Sequence, residues 1–147
     1  MNDSYQTYKD VIDKKGYYIA TPIGISMLPL IRETVDTVKL VKPDRELKKY
    51  DVVLYQRPQT GVYVLHRIIK VRKDSYDLCG DNQVVVEHGV KRDWIIGVME
   101  GFFRDEEYIP ITDEKYIKYS IKRVKSRKRR YLKWIFIRIK NKLKHKK

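Results

Sequence analysis

Several features that mark whole classes of protein are scarce or missing in this 147-residue chain. It has one cysteine, Cys79, so no disulfide framework can form within the chain and no multi-cysteine metal site is expected. No metal or cofactor is expected at all. The N-terminal sequence MNDSYQTYKDVIDKK is polar and charged, unlike a signal peptide. The uncharged run over residues 16–31 is shorter than the ~20 residues that a spanning helix needs, and it contains Pro22, Gly24 and Pro29. We therefore expect no transmembrane anchor.

Acidic residues are absent from the last part of the chain. Between Lys115 and Lys147 there are 16 Lys or Arg and no Asp or Glu, whereas the remainder has 17 basic and 19 acidic residues. The net charge of +14 therefore belongs to the C-terminal segment, and the rest of the chain is nearly neutral. This difference divides the chain into a domain over residues 1–112 and a basic tail over residues 113–147. Dense positive charge attracts polyanions, either anionic lipid or nucleic acid.

Short strand-like segments recur along the neutral part of the chain and are separated by turn residues. They cover residues 17–20, 37–41, 51–55, 62–72, 76–79, 84–86 and 94–103. No long helical pattern lies between them, so we predict a mainly β, antiparallel domain, barrel-like or a sandwich. Before the first strand, a short helix is predicted from Asp3 to about Lys15, with Asp3 or Ser4 as its N-cap and Gly16 at its end.

The basic tail, residues 115–147, has a helical pattern of its own. Apolar residues recur at three- and four-residue steps from Tyr116 to Leu143 and are bounded by Lys and Arg, as in an amphipathic helix. The run SRKRR at residues 126–130 interrupts the pattern, which allows two helical pieces. The apolar run WIFI at residues 134–137 favours an interfacial helix on an anionic membrane. Nucleic-acid binding is the less favoured alternative, and a plain solvated tail is the third.

One hydroxyl, that of Ser26, lies in the middle of the uncharged run, within TPIGISMLPLI. A serine in such a loop is mostly a turn residue, and a nucleophilic serine needs a base within hydrogen-bond reach. Of the three histidines, His145 lies in the tail and His88 in a polar EHG turn, and neither is given a role. His66 lies within the predicted strand VYVLHRIIKVR, where alternation places it on the face of Val64. A histidine there is usually a core residue, so the residues alone leave both interpretations open.

The order of several motifs resembles one family. The chain resembles the serine-peptidase superfamily of type I signal peptidases and self-cleaving SOS-type repressors. Five segments carry the resemblance, in this order: GISMLP, DVVLY, VLHRIIKV, GDN and IIGVMEGFFR. In that family the nucleophile lies in a Ser-Met-x-Pro turn, matched here by Ser26, Met27 and Pro29. Bacterial members use a lysine base. The endoplasmic-reticulum-type and archaeal signal peptidases have a histidine followed by Arg and branched aliphatic residues, which His66 and its neighbours match. The resemblance covers residues 16–104.

The resemblance implies roles for single residues. Ser26 would attack a peptide carbonyl, and His66 would take its proton. Two acidic residues compete to orient His66: Glu87, seven positions after the glycine of GDN, where relatives have Asp, and Asp81 within GDN. The Ser26 N–H is the expected oxyanion donor. Gly24 stands where some relatives have a hydroxyl, and a close backbone approach is expected there instead.

The resemblance also implies a substrate that binds as an added strand, in an apolar cleft to which Gly24, Met27 and Pro29 would contribute. The chain differs from its relatives, because it shows neither their transmembrane helix nor their helix-turn-helix domain. We therefore expect a compact serine endopeptidase, cytoplasmic or peripheral at the inner face of the membrane, that cleaves a leader or signal-like peptide. The alternative is a catalytically silent peptide-binding or regulatory module whose tail docks to anionic membrane or nucleic acid.

Overall fold

The computed structural model describes residues 7–144, and within them one antiparallel sheet of eight strands lies between two α-helices in the sequence. The helices are α1 (Tyr8–Lys15) and α2 (Glu114–Lys144). The strands are β1 (Tyr17–Ala20), β2 (Thr37–Val41), β3 (Val52–Gln56), β4 (Tyr63–Val71), β5 (Tyr76–Cys79), β6 (Glu87–Val90), β7 (Ile95–Arg104) and β8 (Glu107–Pro110).

The strand order is β1-β2-β7-β3-β4-β5-β6, with β8 paired to β7, and every pairing is antiparallel. The predicted mainly β fold, with a short N-terminal helix and a C-terminal helix, is confirmed. Six of the seven predicted strands are present, with ends that differ by at most one residue. Two core clusters lie on opposite faces of the sheet. Strand β3 serves both, since Val52 and Leu54 belong to one cluster and Val53 and Tyr55 to the other, which explains its unbroken apolar run.

Two sequence predictions about residues 84–90 are wrong. Residues 84–86 do not form a strand, and the strand begins instead at Glu87, so His88 lies in β6 and not in a turn. The three β-branched residues there have a strand propensity, but other partners take their carbonyl groups. Arg127 of α2 donates to the oxygen of Val84 at 3.1 Å, and the Cys79 thiol donates to the oxygen of Val85 at 3.3 Å. Tertiary contacts therefore override the local propensity. Strand β8 had not been predicted.

Helix α1 begins one residue after Thr7, whose hydroxyl accepts a hydrogen bond from the Asp10 N–H. The N-caps expected from the sequence, Asp3 and Ser4, lie outside the described residues. The predicted end is confirmed, since Gly16 has a φ of 81° and its N–H donates to the Ile12 carbonyl at 2.8 Å.

Helix α2 is continuous through SRKRR and is not split into two pieces. Its first half packs on the β domain, where Tyr116 and Ser120 are buried. Arginine and lysine are good helix formers, and several arginines of the run contact the domain, so the run does not break the helix. Within residues 7–144, no helix combines the length and the apolarity needed to cross a membrane.

Candidate active site

Ser26 lies in the turn between β1 and β2. Next to it, Met27 is buried in a core cluster together with Leu30 and Ile31, and this burial anchors the turn. The Leu28–Pro29 peptide bond is cis. Pro29 itself is exposed, and its carbonyl accepts a hydrogen bond from Arg104. Ser26 is half-buried at the surface of the turn.

The GDN loop holds the backbone of this turn. The Asn82 N–H donates to the Ser26 carbonyl at 2.8 Å, and the Asn82 side-chain amide donates to the Ile25 carbonyl at 3.1 Å. A Cβ atom on Gly80 would lie 2.6 Å from the Ser26 carbonyl oxygen, so only glycine allows the two segments to approach so closely. The first and third residues of GDN therefore position the serine.

His66, on β4, lines the same cavity as Ser26. The cavity has a volume of about 220 Å³, and Gly24, Met27 and Gln83 also line it, whereas Pro29 does not. His66 shares the sheet face of Val64 and Ile68, as strand alternation predicts. The structure therefore brings the two residues singled out as nucleophile and base to one cavity, from a turn and a strand that are far apart in the sequence.

The imidazole of His66 is 4% exposed. This burial lowers the pKa of His66 to about 4, an effect that the negative charge of Glu87 opposes. The ring is consequently neutral at neutral pH, and a neutral imidazole is the form that can accept a proton from a serine hydroxyl. Burial thus keeps the ring unprotonated and able to accept a proton, while the lowered pKa makes it a weaker base than a solvated imidazole.

Glu87 is linked to His66 through a third residue. The Tyr55 hydroxyl donates to Glu87 Oε2 at 2.5 Å and lies 3.4 Å from His66 Nδ1. Arg57 holds the same carboxylate with hydrogen bonds of 2.7 to 3.2 Å, and this guanidinium is the main cause that lowers the pKa of Glu87. Glu87 is therefore a carboxylate, one phenol away from the imidazole.

Asp81 is used differently. Its two carboxylate oxygens accept hydrogen bonds from Nε and Nη2 of Arg67, each at 2.8 Å, and the Tyr119 hydroxyl donates to it at 3.0 Å. Arg67 and Asp81 are 1% and 2% exposed. Since Arg67 follows His66 in β4, it faces the other side of the sheet, where it also donates to the Ser120 hydroxyl of α2. Asp81 thus joins the sheet to α2 and makes no hydrogen bond to His66.

The N–H of Ser26 is the oxyanion donor expected from the sequence. Within residues 7–144 it makes no hydrogen bond, so no group of the fold occupies it. The N–H of Gly24 already donates to Glu33 Oε1 at 2.7 Å. Gly24 has a φ of 100°, and among the described residues no atom lies within 4 Å of the position that its Cβ would take. The positive φ explains why this position is a glycine. The close backbone approach that the sequence predicted at Gly24 is not made by another described segment of the chain. Gln83, in the same cavity, carries an amide of the type that donates in oxyanion sites.

A larger cavity, of about 630 Å³, is also lined by His66. The loop of Val84 to Val86 lines it, together with Glu87 and Trp134 of α2. Three arginines of α2 hold the backbone of residues 81–84, which lead into this loop: Arg123 donates to the Asp81 carbonyl, Arg127 to that of Val84, and Arg130 to those of Asp81 and Gln83. Helix α2 is therefore one wall of the site.

The N-terminal half of β4 leaves one edge open. Residues Tyr63 to His66 pair with β3, while pairing with β5 begins only at Arg67. Among residues 7–144 no strand pairs with the other edge of this half, and its residues line the cavity of Ser26. An extended peptide can add to such an edge.

Tyr55, Arg57, Gln83 and Trp134 are site residues that sequence reasoning missed. Tyr55 ends the segment DVVLY, but its position beside His66 depends on strand register: Val53 is opposite His66, so Tyr55 is the diagonal neighbour of His66.

Comparisons of the chain with protein-family models, with curated proteins and with solved structures gave no match.

Proposed function

We propose that the protein is a serine endopeptidase that cleaves a peptide bound in extended form between the turn of Ser26 and the open edge of β4. The observation that carries this proposal is the shared cavity, which is lined both by Ser26 on a fixed turn and by the buried, neutral imidazole of His66. The resemblance of the motif order to histidine-base signal peptidases supports the same assignment. Both observations support Ser26 as the nucleophile and His66 as its base.

The chemistry divides into two steps. Ser26 Oγ attacks the peptide carbonyl carbon while its proton passes to Nε2 of His66, and the resulting oxyanion accepts a hydrogen bond from the Ser26 N–H. His66 then gives that proton to the leaving amine as the carbon–nitrogen bond breaks, which leaves an ester on Ser26. A water molecule attacks the ester, its proton passes through His66 to Ser26 Oγ, and the carboxylic acid product leaves.

The walls of the cleft indicate the substrate. Pro22, Ile23 and Leu65 line the Ser26 cavity and also an adjoining cavity of about 230 Å³ that Tyr18 and Ala20 help to form. Such walls accept small apolar side chains on the acyl side of the cut bond, as in a leader or signal-like segment. The larger cavity beyond His66 would hold the leaving segment, because His66 must reach the leaving amine.

The test uses a serine-reactive phosphonate probe and mass spectrometry on the full chain. We expect covalent labelling at Ser26 in the wild type and its loss in both Ser26→Ala and His66→Ala. Ser75→Ala and His88→Ala change the same residue types away from the cavity and should be labelled like the wild type. Labelling that persists in Ser26→Ala would contradict the proposal. A folded wild type that binds extended peptides but neither reacts with the probe nor cleaves them would support the silent binding module instead.

We also propose that the protein is cytoplasmic and binds peripherally to an anionic membrane through α2. Four apolar side chains of α2, spaced three or four residues apart, are between 54% and 71% exposed: Leu132, Phe136, Ile139 and Leu143. They lie on the side of the helix away from Arg127 and Arg130, which donate to carbonyls of the domain, and away from Trp134, which lines the larger cavity. Lysines flank this stripe. Nucleic acid would use the charge but not the stripe, so a lipid surface fits better.

A further inference from the structure

The imidazole of His66, the proposed general base, makes no direct hydrogen bond to a carboxylate of residues 7–144. Within residues 7–144, the hydrogen-bonding neighbour of the His66 ring is the Tyr55 hydroxyl, 3.4 Å from Nδ1, and no acidic side chain bonds to the ring. We propose that Tyr55 is the positioning residue of His66, and that its hydroxyl connects the imidazole to the carboxylate of Glu87. This inference rests on the proposed peptidase function, which it refines by replacing a direct His–acid contact with a phenol-bridged one.

The direction of the hydrogen bonds follows from the donors present. Glu87 is held ionised by Arg57, so its oxygens can only accept, and the Tyr55 proton must point to Oε2. The Tyr55 oxygen is then left with lone pairs on the His66 side. Only a proton on Nδ1 can bond to them, which leaves Nε2 unprotonated. The phenol–carboxylate pair thereby selects the tautomer that can accept the Ser26 proton.

The position of the phenol is strongly constrained. Tyr55 is fully buried in the core cluster of Val53, Ile68 and Val98, and it is the diagonal cross-strand neighbour of His66. Arg57, two residues further along the chain, makes three contacts to Glu87 of 2.7 to 3.2 Å. The residues at both ends of the link are thus fixed, and the 3.4 Å separation can shorten when a substrate fills the cavity and the ring becomes positively charged.

The same link has a role after the proton has moved. When His66 is protonated, its Nδ1–H remains bonded to Tyr55, and the negative charge of Glu87 stabilises the imidazolium through the polarised phenol. No proton leaves the imidazole on this side. Burial together with the Glu87 contact raises the pKa of Tyr55, so its hydroxyl stays protonated.

The experiment compares Tyr55→Phe with the wild type. Phenylalanine keeps the buried ring and removes the link, so we expect kcat to fall on the order of 100-fold with KM nearly unchanged. ¹⁵N NMR of the histidines, without substrate, should show the Nδ1–H tautomer of His66 in the wild type and Nε2–H in the variant. Tyr76→Phe removes a hydroxyl beside the same core cluster and should change neither readout.

A second variant keeps the inference testable if Tyr55→Phe is unstable. In Glu87→Gln the amide can donate to the phenol oxygen, which turns the Tyr55 proton toward Nδ1 and should also produce the Nε2–H tautomer. An unchanged tautomer in both variants would overturn the inference. A Tyr55-dependent tautomer in a protein that cleaves nothing would support the link while contradicting the peptidase proposal, so the two failures are distinguishable.

Discussion

The buried ion pair of Arg67 and Asp81 allows a quantitative prediction for the variant Asp81→Asn. The pair is almost inaccessible to solvent, and Arg67 also donates to Tyr50, Tyr116 and Ser120. Removing one charge of a buried pair leaves the other uncompensated, at a cost of roughly 3–5 kcal/mol. The Asn side-chain oxygen still accepts from Arg67, so we expect the lower end, about 3 kcal/mol. For a chain of this size that lowers Tm by about 6–12 °C.

A matched variant shows whether the burial of the cation causes the loss. Asp77 is equally buried, but its partners Arg72 and His88 are 44% and 65% exposed and can be hydrated when the charge is removed. Asp77→Asn should therefore cost only about 1 kcal/mol.

Both variants are measured by urea denaturation and by thermal unfolding followed by far-UV circular dichroism. Equal destabilisation by the two substitutions would refute the reasoning. If Asp81 acts only through the fold, Asp81→Asn should also keep the Nδ1–H tautomer of His66 at temperatures where it is folded. A changed tautomer there would mean that Asp81 also orients the base.

Two further predictions concern the pH dependence of activity and the membrane. The pKa of His66 is about 4 in the folded chain and about 6.5 in an unfolded one. We therefore expect kcat/KM to hold its plateau down to about pH 5 and to fall only near pH 4. The free energy of unfolding should decline as the pH drops below about 6.5, because the unfolded chain binds the proton first. An acid limb of kcat/KM near pH 6.5 would contradict the burial argument. In liposome flotation, Leu132→Glu with Phe136→Glu should abolish binding to anionic vesicles, whereas Val35→Glu, at a similarly exposed residue of the domain, should not. A wild type that fails to float but binds duplex DNA in a salt-dependent way would overturn the membrane proposal.

Much of the fold could be predicted from local signals. Strands such as β2 and β5 are bounded by turn residues and carry β-branched or aromatic side chains, and Gly16 marks the end of α1 with a left-handed φ. Predictions were wrong where partners distant in sequence decide the backbone. The Val84–Val86 segment has strand-forming residues, yet Arg127 of α2, 43 residues further along the chain, binds the carbonyl of Val84, and no local pattern shows this.

The candidate site could be predicted in part. Ser26 and His66 could be chosen because the order of the motifs that contain them resembles a known family, and the structure brings both to one cavity. The connection from His66 through Tyr55 to Glu87 depends on the β3–β4 register, which places Tyr55 diagonally across from His66. Asp81 binds Arg67 and the Tyr119 hydroxyl of α2, a helix more than thirty residues later in the chain, and this pairing cannot be predicted from the residues around Asp81. Pairings of this kind are properties of the folded sheet and not of a sequence window.

The attachment of α2 to the loop of residues 81–84 has a consequence for how specificity can evolve. Arg123, Arg127 and Arg130 bond to main-chain carbonyls, which every amino acid supplies. Val84, which lines the larger cavity beside His66, can therefore be exchanged without loss of these hydrogen bonds. Under the proposed function, descendants of this chain could acquire new peptide preferences at this position while α2, the Ser26 turn and His66 stay in place.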